Sequence, residues 1–376
     1  MSDPAPGPWS RAGALALAAA SGHPVLDLSL GIPPDSPPAL AMAGPEPSDL
    51  TNYPATAGSP RFRAAGRDYL ARRFGVAVPV DAVAPCVGAK ECVATLPALL
   101  RHRTTGHRDT VLVPALSYPP YRAGAEFAGL RVWRVPTDEQ GRMDVAALPT
   151  EVAERAVCLF VTSPGNPTGL SEPLPVIAEW GRRHDVPVVS DEAYAELCWA
   201  GPPRTVLATG IAGVLAVHSL SKRSHVPGLR VGLLAGDPEL VRTVVGWRRE
   251  VGLISPGPAQ RVAADLLADD AHADVQRERH QHRVHGLVTL LRDIGVECRP
   301  PEGGMFVWAR APEGSGRQWA DRLAAEYAIV TTPGDVYGPT GADHVRLAAV
   351  VDPALLRERL APVRSRFPAD QEKSRR

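Results

Sequence analysis

The sequence predicts an α/β protein with a mainly parallel sheet covered on both faces, followed by a smaller α+β region. Three observations carry this. Apolar runs at residues 110–114, 156–161, 186–190, 213–217 and 231–236 alternate with segments of helical pattern, which makes a parallel sheet with helical crossovers. Several of those runs end in polar turns, where open α/β sheets place ligand groups. Near Pro256 the pattern changes to a long helical stretch and then to strand, helix and strand. A chain of 376 residues is long enough for two or more domains and a large core.

In chain order, residues 1–8 are rich in Pro and Gly and read as loose, and residues 9–21 read as a helix. Residues 25–30 form a short strand that ends in Gly31-Ile-Pro-Pro-Asp, where glycine permits close backbone approach to a ligand or simply a turn. Tyr53 stands in a polar loop, and residues 60–74 are helical. Gly88 opens a further helix with Cys92, Val93, Leu96, Leu99 and Leu100 on one face and Pro97 as an expected kink. The amides of Ala89 and Lys90 at that start suit an anion, although most such glycines are only caps. Tyr118, Asn166 in Ser-Pro-Gly-Asn-Pro, and Asp191 with Tyr194 each follow a strand. Both Ser163-Pro164 and Asn166-Pro167 are candidates for cis peptides. A long helical stretch is expected over about residues 260–294, a strand around 304–311, a helix over about 315–327 and a further segment at His344-Val-Arg-Leu-Ala.

The 41 lysines and arginines balance 41 aspartates and glutamates, which argues against a nucleic-acid or anionic-membrane surface. No apolar stretch is long enough for a membrane span. Five scattered cysteines lack C-x-x-C spacing, so no metal site or disulfide framework is expected, and most read as small buried hydrophobes. The Ala-rich segment near residue 12 reads as a helix rather than a signal peptide, and a soluble cytoplasmic protein is expected.

The chemistry concentrates in His218-Ser-Leu-Ser-Lys-Arg-Ser-His-Val-Pro-Gly-Leu-Arg230. Lys222 can form a Schiff base with an aldehyde, while Ser219, Ser221 and Arg230 can hold a phosphate beside it. Pyridoxal 5'-phosphate carries both groups on one ring. Alone, the same residues also fit an ordinary polar loop after a strand.

The ordered set of Asn166-Pro-Thr-Gly, Asp191-Glu-Ala-Tyr, Ser219-Leu-Ser-Lys, Arg230 and Arg346 resembles the class I/II aminotransferases of the type I pyridoxal-phosphate fold. The resemblance runs from Leu28 to about Pro362. It implies a mainly parallel seven-stranded sheet in a large domain. By domain, it implies an N-terminal arm with part of a small domain over residues 1–45, the large cofactor domain over 46–258, a small domain over 259–368 and a disordered tail over 369–376. It also implies roles. Lys222 is the Schiff-base lysine and proton shuttle, and Asp191 bonds the pyridine nitrogen. Tyr194 and Asn166 bond the ring's phenolic oxygen, and Tyr118 stacks on the ring. Ala89, Lys90, Ser219, Ser221 and Arg230 hold the phosphate, joined by Tyr53 of a neighbouring subunit in a homodimer. Arg346, with Asn166 and the backbone near Gly31, takes the substrate carboxylate.

Tyr53-Pro-Ala-Thr-Ala-Gly-Ser-Pro, Gly88-Ala-Lys-Glu, His218-Ser-Leu-Ser-Lys-Arg-Ser and Tyr337-Gly-Pro-Thr-Gly-Ala-Asp-His-Val-Arg are similar to the actinobacterial N-succinyldiaminopimelate aminotransferase branch. That branch usually has Asn at position 225, Ala-Gly at 227–228 and often an aromatic at 229. Here His225, Pro227-Gly228 and Leu229 stand there, and His225 is expected to change charge near neutral pH. The expected activity is ping-pong transfer of an amino group between an amino acid and a 2-oxo acid, either as an ordinary lysine-pathway aminotransferase or as a paralogue in a specialised natural-product pathway. A lyase, decarboxylase or substitution reaction on the same cofactor stays open, because fold does not choose among them.

Overall fold

The computed structural model describes residues 9–42, 44–103 and 107–364. The expected loose termini at residues 1–8 and 369–376 lie outside the described residues. Helix α1 (Arg11–Ala19), capped by the Ser10 hydroxyl, precedes the short strand β1 (Leu26–Asp27). After α2 (Pro47–Thr51) comes α3 (Pro60–Phe74). Ser59 caps α3 by accepting from the Phe62 amide, Pro60 fills the first turn, and Gly75 ends the helix at φ 69°.

Strand and helix then alternate: β2 (Val83–Cys86), α4 (Ala89–Arg101), β3 (Thr110–Pro114), α5 (Pro119–Phe127), β4 (Arg131–Val135), α6 (Thr150–Glu154), β5 (Ala156–Thr162), α7 (Leu174–Arg183) and β6 (Val188–Asp191). β7 (Val214–Ser219) runs into the one-turn helix α8 (Leu220–Arg223), and β8 (Gly232–Gly236) into α9 (Pro238–Glu250). The helices α10 (Gly257–Ala268) and α11 (Ala271–Asp293) follow. The chain continues through β9 (Phe306–Arg310), α12 (Gly316–Tyr327), β10 (Ile329–Val330), β11 (Thr332–Pro333), β12 (His344–Ala348) and α13 (Pro353–Arg364). Residues 260–294 thus form two helices rather than one. Asp269 leaves helical geometry at ψ 110°, and its carboxylate accepts from the Ala271 amide to start α11.

The described residues within Ile32–Arg279 and Glu302–Gly304 form one compact unit, and the described residues within Met1–Gly31, His280–Pro301 and Met305–Arg376 form another. In the larger unit a seven-stranded sheet has the order β2-β8-β7-β6-β5-β3-β4. Its pairs are parallel except those that β8 makes with β2 and β7. Successive side chains of a strand point to opposite faces. In β7, Val214 and Ala216 pack with Ile177 of α7 and Leu266 of α10, while Leu215 and Val217 pack with Leu96 of α4 and Val244 of α9. Both faces are therefore covered, and each such buried Val, Leu or Ile side chain stabilises the fold by about 1.5–3 kcal/mol.

The topology dictates where a site can form. β3, β5, β6 and β7 are parallel, so their C-terminal ends share one edge of the sheet. β8 runs the other way and presents its N-terminal end there; β2, antiparallel to β8, presents its C-terminal end. Tyr118, Asn166, Asp191, Lys222, Arg230 and Gly88 all lie at or just beyond those ends.

In the smaller unit β11, β12 and β9 form an antiparallel sheet, β1 pairs with β10 in parallel, and Ala18 packs with Ala324, Ala328 and Val330. All five cysteines are buried thiols. Among the described residues no helix is long and apolar enough to cross a membrane, and no group of His, Cys, Asp and Glu is arranged to hold a metal.

Candidate active site

An open cavity of ≈ 660 Å³ in the larger unit lies at that shared edge. Three kinds of group line it. The first is a primary amine, Lys222, on α8. The second is a carboxylate, Asp191, at the end of β6. The third is a polar cradle of Ala89, Lys90, Ser219, Ser221 and Arg230. Tyr118, Asn166 and Tyr194 complete the wall, with Ala193 and Pro227.

Asp191 is buried, and its two hydrogen bonds come from neutral donors. The Tyr121 hydroxyl donates to Oδ2 at 2.7 Å and the Ala193 amide to Oδ1 at 3.1 Å. Desolvation raises the carboxyl's pKa above its ordinary value, against the lowering effect of the Tyr121 and Ala193 hydrogen bonds. A carboxylate so placed gains most from a cation brought into the cavity. Tyr121 is itself fixed. Its hydroxyl lies 2.6 Å from Thr162 Oγ1, and its ring stacks on Phe160 at 4.5 Å with planes 5° apart.

The cradle is built from backbone as much as from side chains. Gly88 is the N-cap of the 13-residue α4 and has no side chain to cap it, so the first amides are left for a ligand. Gly88 has φ +82°, and a Cβ there would stand 2.6 Å from the Arg230 guanidinium. Arg230, at φ 54°, donates to the carbonyls of Pro227 at 3.0 Å and Val87 at 3.3 Å. Gly88→Ala is expected to strain the turn and displace Arg230, raising the Kd for pyridoxal 5'-phosphate at least about tenfold, a cost near 1.4 kcal/mol. Equilibrium dialysis of the variant checks this; an unchanged Kd would show that the cradle does not depend on the close approach.

Asn166 stands in a turn with cis peptides at both Ser163-Pro164 and Asn166-Pro167, as the sequence leads one to expect. The turn is closed by the Gly165 amide on Leu170 O at 2.7 Å and the Gly169 amide on Gly165 O at 2.8 Å.

Other expected residues lie elsewhere. Tyr53 is 98% exposed, beside Asn52, Arg61 and Arg261 in a separate cleft of the larger unit. Gly31 and Arg346 belong to the smaller unit. There Arg346 is buried in the middle of its sheet, opposite Thr332 and Trp308, with its guanidinium 4.0 Å from the Phe306 ring centroid and donating to Ser29 O. A Cβ on Gly31 would meet the same Phe306 ring at 2.8 Å, so glycine is needed there. His225 differs from expectation. It is buried at φ 41°, and desolvation pushes its pKa below the ordinary value.

Sequence reasoning missed Tyr121 and the Ala193 amide. Only the place of Tyr121 behind Tyr118 had a local signal, not its bond to Asp191. Pro119 and Pro120 start α5, and residues three apart on a helix share a face, which sets Tyr121 behind Tyr118 at 5.8 Å between ring centroids.

A family profile described as aminotransferase class I and II matches residues 23–361 of this chain. The chain belongs to the class I and II aminotransferases. It is 39% identical over 354 residues to a probable aminotransferase of Mycobacterium tuberculosis, covering 91% of this chain and 81% of that one. It is 38% identical over 345 residues to the 4-dedimethylamino-4-oxo-anhydrotetracycline transaminase OxyQ of Streptomyces rimosus, covering 88% and 90%. Among solved structures it is similar to a probable N-succinyldiaminopimelate aminotransferase of Thermus thermophilus, with a TM-score of 0.85, 26% identity and coverage of 94% and 98%.

This aminotransferase depends on pyridoxal 5'-phosphate, which when bound supplies an aldehyde to receive the amino group and a ring that accepts electrons. The residues present fit it. The buried Asp191, bonded only by neutral donors, matches a protonated ring nitrogen, and the amides after Gly88 with two serines and an arginine match a phosphate.

Proposed function

We propose that Lys222 holds the cofactor covalently and carries the proton between substrate Cα and cofactor C4'. In this reading Asp191 keeps the ring nitrogen protonated, and Tyr194 and Asn166 donate to the phenolic oxygen. Tyr118 stacks on the ring. The Ala89 and Lys90 amides, Ser219, Ser221 and Arg230 hold the phosphate, and Arg346 with the Gly31 backbone receives the substrate α-carboxylate. The observation that carries the reading is one cavity lined by an amine, a buried carboxylate and an anion cradle. Buried thiols without a disulfide fit a reducing, cytoplasmic compartment.

We further propose a homodimer in which Tyr53 completes the partner's phosphate site. Met42 (74% exposed), Leu50 (69%) and Tyr53 (98%) put apolar surface on one short segment, which a second copy would cover. A mixture of Lys222→Ala and Tyr53→Phe proteins is expected to exceed the summed activity of the two alone, since hybrids regain one intact site. A mixture with no gain, or an active monomer in sedimentation, would overturn the shared site.

For substrate we propose a specialised oxo compound rather than the succinylated lysine precursor. Pro227 lines the cavity and lacks an amide donor for a polar tail. OxyQ, whose name gives a 4-oxo-anhydrotetracycline derivative, supports a tailoring role. The experiment is a panel of donors and acceptors ranked by kcat/KM. N-succinyldiaminopimelate with 2-oxoglutarate is expected to rank below another pair; its ranking first by a wide margin would sink the proposal.

A further inference from the structure

Lys222 sits on a helix that cannot stand alone. α8 is four residues long, and the Ser224 amide on Leu220 O at 2.9 Å closes its single turn. One turn of helix is unfavourable in isolation, because many dihedrals are fixed for one hydrogen bond. Something outside the helix must therefore fix where the amine points. Arg223, the next residue, is 5% exposed and faces away from the cofactor cavity, into a small cavity with Tyr69, Glu192 and Glu196.

Its guanidinium is used from every side. Nε donates to Glu196 Oε1 at 2.6 Å, one terminal nitrogen to Leu266 O at 2.7 Å, and the other to Asp269 O and Asp270 Oδ1, both at 3.1 Å. The group also lies 5.0 Å from the Tyr69 ring centroid. Leu266 and Asp269 belong to the end of α10, where carbonyls lack helical partners and the helix dipole favours a cation. Glu196 is 5% exposed and accepts as well from the Tyr69 hydroxyl at 2.7 Å and Arg73 Nε at 2.7 Å. An anchor bonded this fully has one orientation. A lysine keeps the charge but loses the planar fork of donors.

We propose that Arg223, anchored on Glu196 and the C-terminal end of α10, is the positioning residue that aims Lys222. Consecutive helical residues differ by about 100° around the axis, so fixing Arg223 fixes the rotation of α8 and the direction of the amine. The inference rests on Lys222 being the reacting amine. Arg73 also holds Glu196, and only its outer leg, to the 52%-exposed Asp274, contributes little to the aim, because solvent screens that pair.

The test uses Arg223→Lys, Glu196→Gln as a milder change in the same anchor, and Asp274→Asn as the outer-leg control. In the holoenzyme, Arg223→Lys should lower kcat about tenfold to a hundredfold with KM within about twofold, as a small misplacement of a reacting group does. Glu196→Gln should do the same to a smaller degree, and Asp274→Asn should leave kcat unchanged. In the cofactor-free protein, hydrogen exchange of the peptide 219–225 should accelerate in Arg223→Lys while that of β7 does not. A wild-type kcat, or acceleration spread across the whole larger unit, would overturn the positioning role. Borohydride labelling separates the two failures. A label still on Lys222 with normal kcat sinks only the Arg223 inference, whereas a label elsewhere sinks the site assignment beneath it.

Discussion

Asp191→Ala is expected to bind pyridoxal 5'-phosphate and yet turn over at least about a thousandfold more slowly, a loss near 4 kcal/mol of barrier lowering. Among the described residues Asp191 is the only carboxylate lining the cavity, and with it gone none of them is left there to hold the proton at the ring nitrogen. The cradle should be untouched by the substitution, because the hydrogen bonds to the Asp191 carboxylate come from Tyr121 and Ala193 and not from the cradle residues. Binding and turnover should therefore separate. Spectroscopic titration with the cofactor and single-turnover kinetics measure the two, and near-wild-type turnover would refute the role.

Lys222→Ala should have the larger effect, about 10⁴-fold or more in kcat, because one side chain is assigned both covalent attachment and proton transfer. The variant should keep its fold. Lys222 points into a cavity, whereas the neighbouring Arg223 carries the packing and the ion pairs. A small primary amine added to the buffer should restore part of the activity by replacing the missing group. Full activity without added amine would remove Lys222 from the mechanism, and a large fall in Tm would assign it to the fold instead.

The sheet and the cavity wall were legible because both rest on local signals. Continuous apolar runs such as Ala156–Thr162 form buried strands, and each wall residue follows such a run within a few positions, so sheet topology alone collects them. Groups that depend on three-dimensional neighbours were not legible. Tyr121 matters only because its hydroxyl meets Thr162 and Asp191, 41 and 70 residues away. The edge strand β4 carries exposed Arg131 and Trp133 and has no buried stripe to announce it. The break between α10 and α11 turns on one residue, Asp269, whose capping carboxylate looks in sequence like one more charge on a polar helix. His225 reads as a pH-sensitive group until its burial is known. Arg223 reads as half of a solvated Lys-Arg pair, and only the fold shows that it is interior while Lys222 lines the cavity.

The claim on which the rest depends is that Lys222 is the residue joined to the cofactor. Borohydride reduction of the holoenzyme, followed by proteolysis and mass mapping of the modified peptide, tests it directly. The account predicts a single modified lysine, Lys222, in the peptide that spans Ser219 to Arg223. Modification at Lys90, the other lysine lining the cavity, or at any other lysine, would contradict it.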